Sequence, residues 1–177
     1  LYLERGFEPG KIYELIYRVK NPRIVGLGLT AARDAISFFR FEKADKKGNR
    51  NPLTIIKNGH TKPDPEKSFI FGVSQSGRFI THMIYEGFHV DENGRMVFEG
   101  ARIHVSGGGK GGFNHRFAQT THHPSHLEGN YMPADFFPFN FAAQADPVTG
   151  RVGDVLARAK QLKKIPYIMI TNNDLEY

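Results

Sequence analysis

The chain contains no cysteine, which excludes disulfides and thiolate metal sites while leaving its compartment open. It has no run of about 18 or more apolar residues, the length needed to cross a bilayer, so neither a membrane-spanning helix nor a membrane partner is expected. The first residues lack the basic-then-apolar order of a secretory signal. Basic residues do not gather on one segment either. The formal net charge of +6 is scattered, densest at 43–50 and 158–164, where solvated faces account for it. Without a basic surface interleaved with aromatics, nucleic acid is not an expected partner. What is present is 177 residues with 40% hydrophobic content, enough for one domain with a substantial core spanning residues 1–177, with no compositional break to divide it.

Periodicity supplies the elements. Lys11 to Val19 alternates apolar and polar residues and predicts a strand ended by Asn21-Pro22. Ala31, Ala35, Phe38 and Phe39 fall near helical spacing and predict a helix over 30–41. Residues 43–67 are mostly polar around a short apolar piece, Leu53 to Ile56, and read as a surface excursion. A strand over 69–73, a helix over 75–87 ending at a glycine, and a strand over 101–106 follow. After the glycine cluster at 107–112, a long loop runs to about Gly150, then a helix over 153–164 and a buried strand over 165–170. Strands alternating with helices predict an α/β fold, a mostly parallel sheet with helices on both faces.

Chemistry concentrates where the second strand meets its helix, at Gly72-Val73-Ser74-Gln75-Ser76-Gly77. A serine hydroxyl is a poor nucleophile unless it is held exposed beside a base and near hydrogen-bond donors, and a sharp strand-to-helix turn flanked by small residues does this. Ser74 is the candidate nucleophile. Ser76 is the weaker alternative, because bulky Arg78 would stand two residues after it, where a small residue is wanted. The Gln75 N–H, in the first turn of the helix, would face a developing oxyanion. The competing reading is an ordinary Gly/Ser turn.

Other clusters carry less. Gly107 to Gly112 with Lys110 fails the phosphate-loop pattern, since Lys110 is followed by Gly111 rather than Ser or Thr; a flexible loop at a strand's C-terminal end is expected instead. His115, His122, His123 and His126 lack a carboxylate or cysteine at a recurrent zinc spacing. Asn114, His115 and Arg116 are candidate substrate-binding residues over a pocket, with a structural network pinning the loop as the alternative. Asp174 and Glu176 follow the last strand, where a triad acid is wanted, and no histidine follows them. His104 and His82 are candidates for the base by elimination only, and His82, about two turns into the helix after Ser74, is poorly placed.

Taken together, Gly6 to Glu14, Val25 to Leu29, Ala32-Arg33-Asp34, Gly72 to Phe79, Phe113 to Gln119, Asp146 to Gly150, Thr171-Asn172 and Glu176-Tyr177 resemble a bacterial alpha/beta hydrolase domain family over nearly the whole chain. More distantly the chain is similar to glucuronoyl-esterase-like carbohydrate esterases, which share a Gly-x-Ser-x-x-Gly turn. The resemblance implies an alpha/beta-hydrolase-like core, incomplete at both ends, with Ser74 as nucleophile, the Gln75 N–H in the oxyanion hole, Glu176 as the acid and a histidine beyond Tyr177. It implies a serine hydrolase of carboxylic esters acting on a small-molecule substrate, with no cofactor and no metal, whose isolated segment is inactive. The alternative is a non-catalytic binding or scaffold protein of the same fold.

Overall fold

The structure is a computed structural model describing residues 2–11, 13, 15, 17, 18, 20, 21, 26–113 and 135–171. Three strands form its centre, two of them rich in aromatic and β-branched residues. β3 (Phe69–Val73), β4 (Gly100–His104) and β9 (Tyr167–Thr171) pair in parallel in the order β3-β4-β9, with Gly72, Ile103 and Ile170 side by side. The helices are α1 (Gly28–Phe41), α2 (Gln75–Glu86) and a short α3 (Ala157–Gln161). Parallel strands require crossovers, and α2 supplies the one between β3 and β4.

Because side chains alternate along a strand, Ile70, Ala101, Ile103 and Ile168 share one face. There they meet Leu29 of α1, Ile80, Met83 and Ile84 of α2, and Val155 and Ala159 of the α3 region in a single core. Met83 and Ile84 are fully buried, as their spacing in the sequence requires, and α2 stops at Gly87, whose φ of 86° forms a left-handed cap. Arg40 holds α1 against the starts of the strands. Its guanidinium donates to Met96 O and Glu66 O, each at 2.8 Å, and to Glu99 Oε1 at 2.6 Å. The other Glu99 carboxylate oxygen accepts from Ser68 N, and its carbonyl accepts from Tyr167 N.

The structure departs from the sequence reading in several places, among them the inner face of α1, which is Leu29, Ala32 and Ile36 rather than Ala31, Ala35 and Phe39. Among the described residues, all three helices contribute to the core on one face of the sheet, not to both faces. Phe69, Phe71, Tyr167 and Met169 on the other face stay exposed, Tyr167 at 86%. The described positions between 11 and 19 form no strand and are exposed; alternation favours a strand only where a neighbour pairs with it, and Tyr13 instead packs on Phe7 and accepts a hydrogen bond from Glu8 N. The excursion over 43–67 holds an antiparallel hairpin, β1 (Thr54–Lys57) with β2 (His60–Pro63), turning at Asn58-Gly59 where both φ values are positive, as a two-residue hairpin requires. The helix expected over 153–164 shrinks to α3, because Val152-Gly153 (β8) pairs with Gln144-Ala145 (β7) and Asp154-Val155 is drawn into the core.

Candidate active site

At the C-terminal end of β3 the chain reverses into α2 through one residue. Ser74 has φ 53° and ψ −119°, far from the left-handed helical well near ψ +47° that non-glycine residues sometimes occupy, and such a conformation costs about 1–3 kcal/mol. Packing on both sides enforces it. A Cβ built on Gly72 would lie 2.5 Å from Ser76 O and 2.8 Å from Ile80 Cδ1, and one on Gly77 would lie 2.8 Å from Ser106 Cβ. The strand and the first turn of α2 therefore approach closely only because glycine stands at both positions of the Gly-x-Ser-x-x-Gly spacing. The turn is also tied to the neighbouring strand, since Ser74 N donates to His104 O at 2.8 Å.

The Ser74 side chain has little structural use. It occupies the N-cap position of α2, where serine usually bonds the helix's free amides, yet it makes no capping bond. The residue is exposed, and among the described residues its hydroxyl has no hydrogen-bond partner. Gln75 carries its N–H in the first turn, with no helix carbonyl behind it, where the positive end of the helix dipole lies. Ser76 is exposed too, but it is an ordinary helical residue; the bend belongs to Ser74.

The neighbouring strand adds a second strained residue that the sequence did not signal. Val105, directly after β4, has φ 42°, an outlier for a β-branched side chain, and its N–H donates to Thr171 O at 2.7 Å. This ties the strand ends together. Ser106, next in sequence, is buried against Gly77. A valine with positive φ cannot be read from periodicity, because nothing local favours it; the contacts of three adjacent strand ends impose it.

Both histidines considered as bases are occupied elsewhere. His104 Nδ1 lies 2.8 Å from Thr171 Oγ1. His82 is buried on α2, with Nδ1 2.9 Å from the Gly111 carbonyl, which makes that nitrogen the donor, and Nε2 3.4 Å from Glu86 Oε1. Burial pushes the His82 imidazole below its ordinary value, helped by nearby Lys110 and opposed by Glu86. The glycine cluster is pinned rather than free: Lys110-Gly111 (β5) pairs with Asp135-Phe136 (β6), and the Lys110 ammonium sits 4.9 Å from the Tyr85 ring centre. Burial lowers the pKa of Lys110. Asn114, His115, Arg116, the histidines at 122, 123 and 126, Asp174 and Glu176 lie outside the described residues.

An apolar depression of about 470 Å³ lies on the bare sheet face, lined by residues 69–71, 100–102 and 167–169. Those are the early and middle positions of the strands, whereas open α/β sheets build their sites at the C-terminal strand ends, where Ser74, Val105 and Thr171 stand. Among the described residues no group of three or more His, Cys, Asp or Glu side chains could hold a metal ion. No curated protein and no solved structure matches the chain. A family described as "Alpha/beta hydrolase domain" matches residues 6–164. The match takes in the strand-to-helix turn and most of the sheet, and with it the chain belongs to the alpha/beta hydrolase domain family.

Proposed function

We propose that this hydrolase-family chain is a serine hydrolase of carboxylic esters, with Ser74 as nucleophile at a nucleophile elbow. One observation carries the reading: a serine held at φ 53°, exposed, whose hydroxyl has no hydrogen-bond partner among the described residues, at the C-terminal edge of a parallel sheet. Strain at that residue is sustained by the packing of Gly72 and Gly77, and strained residues concentrate where chemistry needs a fixed geometry. In the reaction the Ser74 oxygen attacks the ester carbonyl, the alcohol leaves, and water releases the acid from the acyl-serine. The Gln75 N–H stabilises the tetrahedral oxyanion from the helix's first turn, and a donor of this kind is worth about a hundredfold to a thousandfold in rate. Glu176, with Asp174 as the alternative, orients the histidine base that the resemblance implies, and Asn114, His115 and Arg116 contact the substrate.

Fluorophosphonate labelling of the full chain, followed by peptide mapping, tests this. A single adduct on Ser74, absent in Ser74→Ala, is the expected result. An adduct on Ser76 or any other residue overturns the assignment, and no adduct on a folded full chain favours the non-catalytic binding protein.

A further inference from the structure

We propose that His82 is a proton-sensitive latch: with a neutral imidazole it holds β5 across α2, and on protonation it lets β5 swing away from the helix. The latch stands apart from the chemistry assigned to Ser74. Its closed form is built from three contacts against α2. His82 Nδ1 donates to Gly111 O at 2.9 Å. The Lys110 ammonium lies 4.9 Å from the Tyr85 ring centre and 5.8 Å from that of Phe136. Phe113, just beyond β5, sets its ring edge-on to Phe79 at 5.8 Å and tilted to the imidazole at 5.9 Å. Together these leave His82 only 5% exposed.

The surroundings favour the neutral ring. Because the Gly111 carbonyl can only accept, Nδ1 carries the proton and Nε2 presents its lone pair to Glu86 Oε1 at 3.4 Å. A second proton would go on Nε2, making a cation that is shut off from water and has Lys110 beside it on β5. Glu86 attracts that cation, but its side chain is 43% exposed and solvent screens the attraction. Burial and Lys110 therefore prevail, and the imidazole is held below its ordinary value. Arg78 stands one turn earlier on the same helix, while the sheet and the α3 region bring Ile70, Ala101, Ile103, Val155 and Ala159 to the core that α2 shares, none of which titrates. Moving β5 outward would carry Lys110 away and admit water to the imidazolium. The joint for that movement is glycine: Gly107, at φ 72°, and Gly108, where an added Cβ would meet nothing within 4 Å, lead to Lys110 from Ser106, which stays packed on Gly77. The latched pKa lies below that of the released ring, near 6.5, so the latch is complete above about pH 6.5 and loosens as pH falls.

Hydrogen–deuterium exchange of the full chain at pH 7.5 and pH 5.0, each corrected for the intrinsic exchange rate at that pH, tests the latch in a peptide covering 107–113 against reference peptides from α1 and β3. Protection of 107–113 should fall severalfold further than in the references on going to pH 5.0. In His82→Gln, whose side-chain amide can still donate to Gly111 O but does not titrate, that extra fall should vanish. Proton NMR gives an independent reading. The His82 ring signal, identified as the one missing from His82→Gln, should titrate below about pH 6.5, at higher pH in Lys110→Met and at lower pH in Glu86→Gln. A fall in 107–113 no larger than in the references, an extra fall that persists in His82→Gln, or a His82 ring that titrates at or above about pH 6.5 overturns the latch. If His82→Gln does not fold, Lys110→Met decides: it should shrink the extra fall, and an extra fall of wild-type size overturns the proposal.

Discussion

Adding one methyl group at Gly72 should unseat the turn that presents Ser74. The new Cβ of Gly72→Ala would meet Ser76 O at 2.5 Å, Ser76 C at 2.6 Å and Ile80 Cδ1 at 2.8 Å, about 0.9 Å inside ordinary contact for the closest atom. Two of these atoms are α2 backbone and the third is a core side chain that is only 2% exposed, so none can swing aside as a surface side chain would. Overpacking of this kind costs about 1–3 kcal/mol, and with backbone as the obstacle the upper end, about 3 kcal/mol, is expected. That is somewhat more than a hundredfold in the folding equilibrium. In urea, where small proteins lose about 1–3 kcal/mol of stability per molar denaturant, the midpoint should fall by roughly 1–3 M. Gly28→Ala is the control, because its Cβ would meet only Phe79 Cε2 at an ordinary 3.8 Å; it should be neutral or stabilising by no more than about 1 kcal/mol. Equal midpoints for Gly72→Ala and wild type, at unchanged slope, would refute the claim that the strand and helix are pressed together at this glycine.

Ser74→Gly should raise stability by about 1 kcal/mol by relieving the positive φ, offset in part by glycine's greater flexibility, while abolishing the fluorophosphonate adduct; thermal denaturation and mass spectrometry read the two effects, and a destabilised variant would contradict the strain. Gly77→Ala should destabilise by about 1–3 kcal/mol through Ser106 Cβ, and adding Ser106→Gly should restore part of that loss; a double-mutant cycle with no coupling would show that the two residues are not in contact. His89 is fully buried with Nε2 2.8 Å from Lys164 O, and burial pushes its pKa below the ordinary value despite that hydrogen bond. Its folded-state pKa is therefore below the unfolded one near 6.5, so its contribution is intact above about pH 6.5 and is lost as pH falls, by at most about 1.4 kcal/mol per pH unit. Urea midpoints at pH 7.5 and 5.0 should fall further apart in wild type than in His89→Gln, and identical pH dependence would show that folding leaves the imidazole's pKa unshifted.

The turn at Ser74 was legible because its requirements are local: a strand of aromatic and β-branched residues, glycines two before and three after the serine, and apolar residues at helical spacing behind it. α1 was legible as a helix but not in its inner face: Ala31, Ala35 and Phe39, whose spacing suggested it, are exposed, whereas Leu29, Ala32 and Ile36 meet the core. The hairpin at residues 54–63 was missed, although Asn58-Gly59 is a hairpin turn signal, because its strands are mostly polar and show no clean alternation. The pull of Asp154 and Val155 into the core was not legible either, since it depends on Val155 N donating to Asn140 O, a residue 15 positions away.

Residue order alone therefore settled that strands alternate with helices, which serine stands at the bend and which glycines permit it, because each depends on a side chain's own shape or on neighbours a few positions away. Only the folded chain decided that Val105 is forced to positive φ, that Ser106 is packed against Gly77 behind the turn, and that the described helices share one sheet face. Those features arise where β4, β9 and α2 converge, and contacts between residues tens of positions apart leave no periodic trace in the sequence.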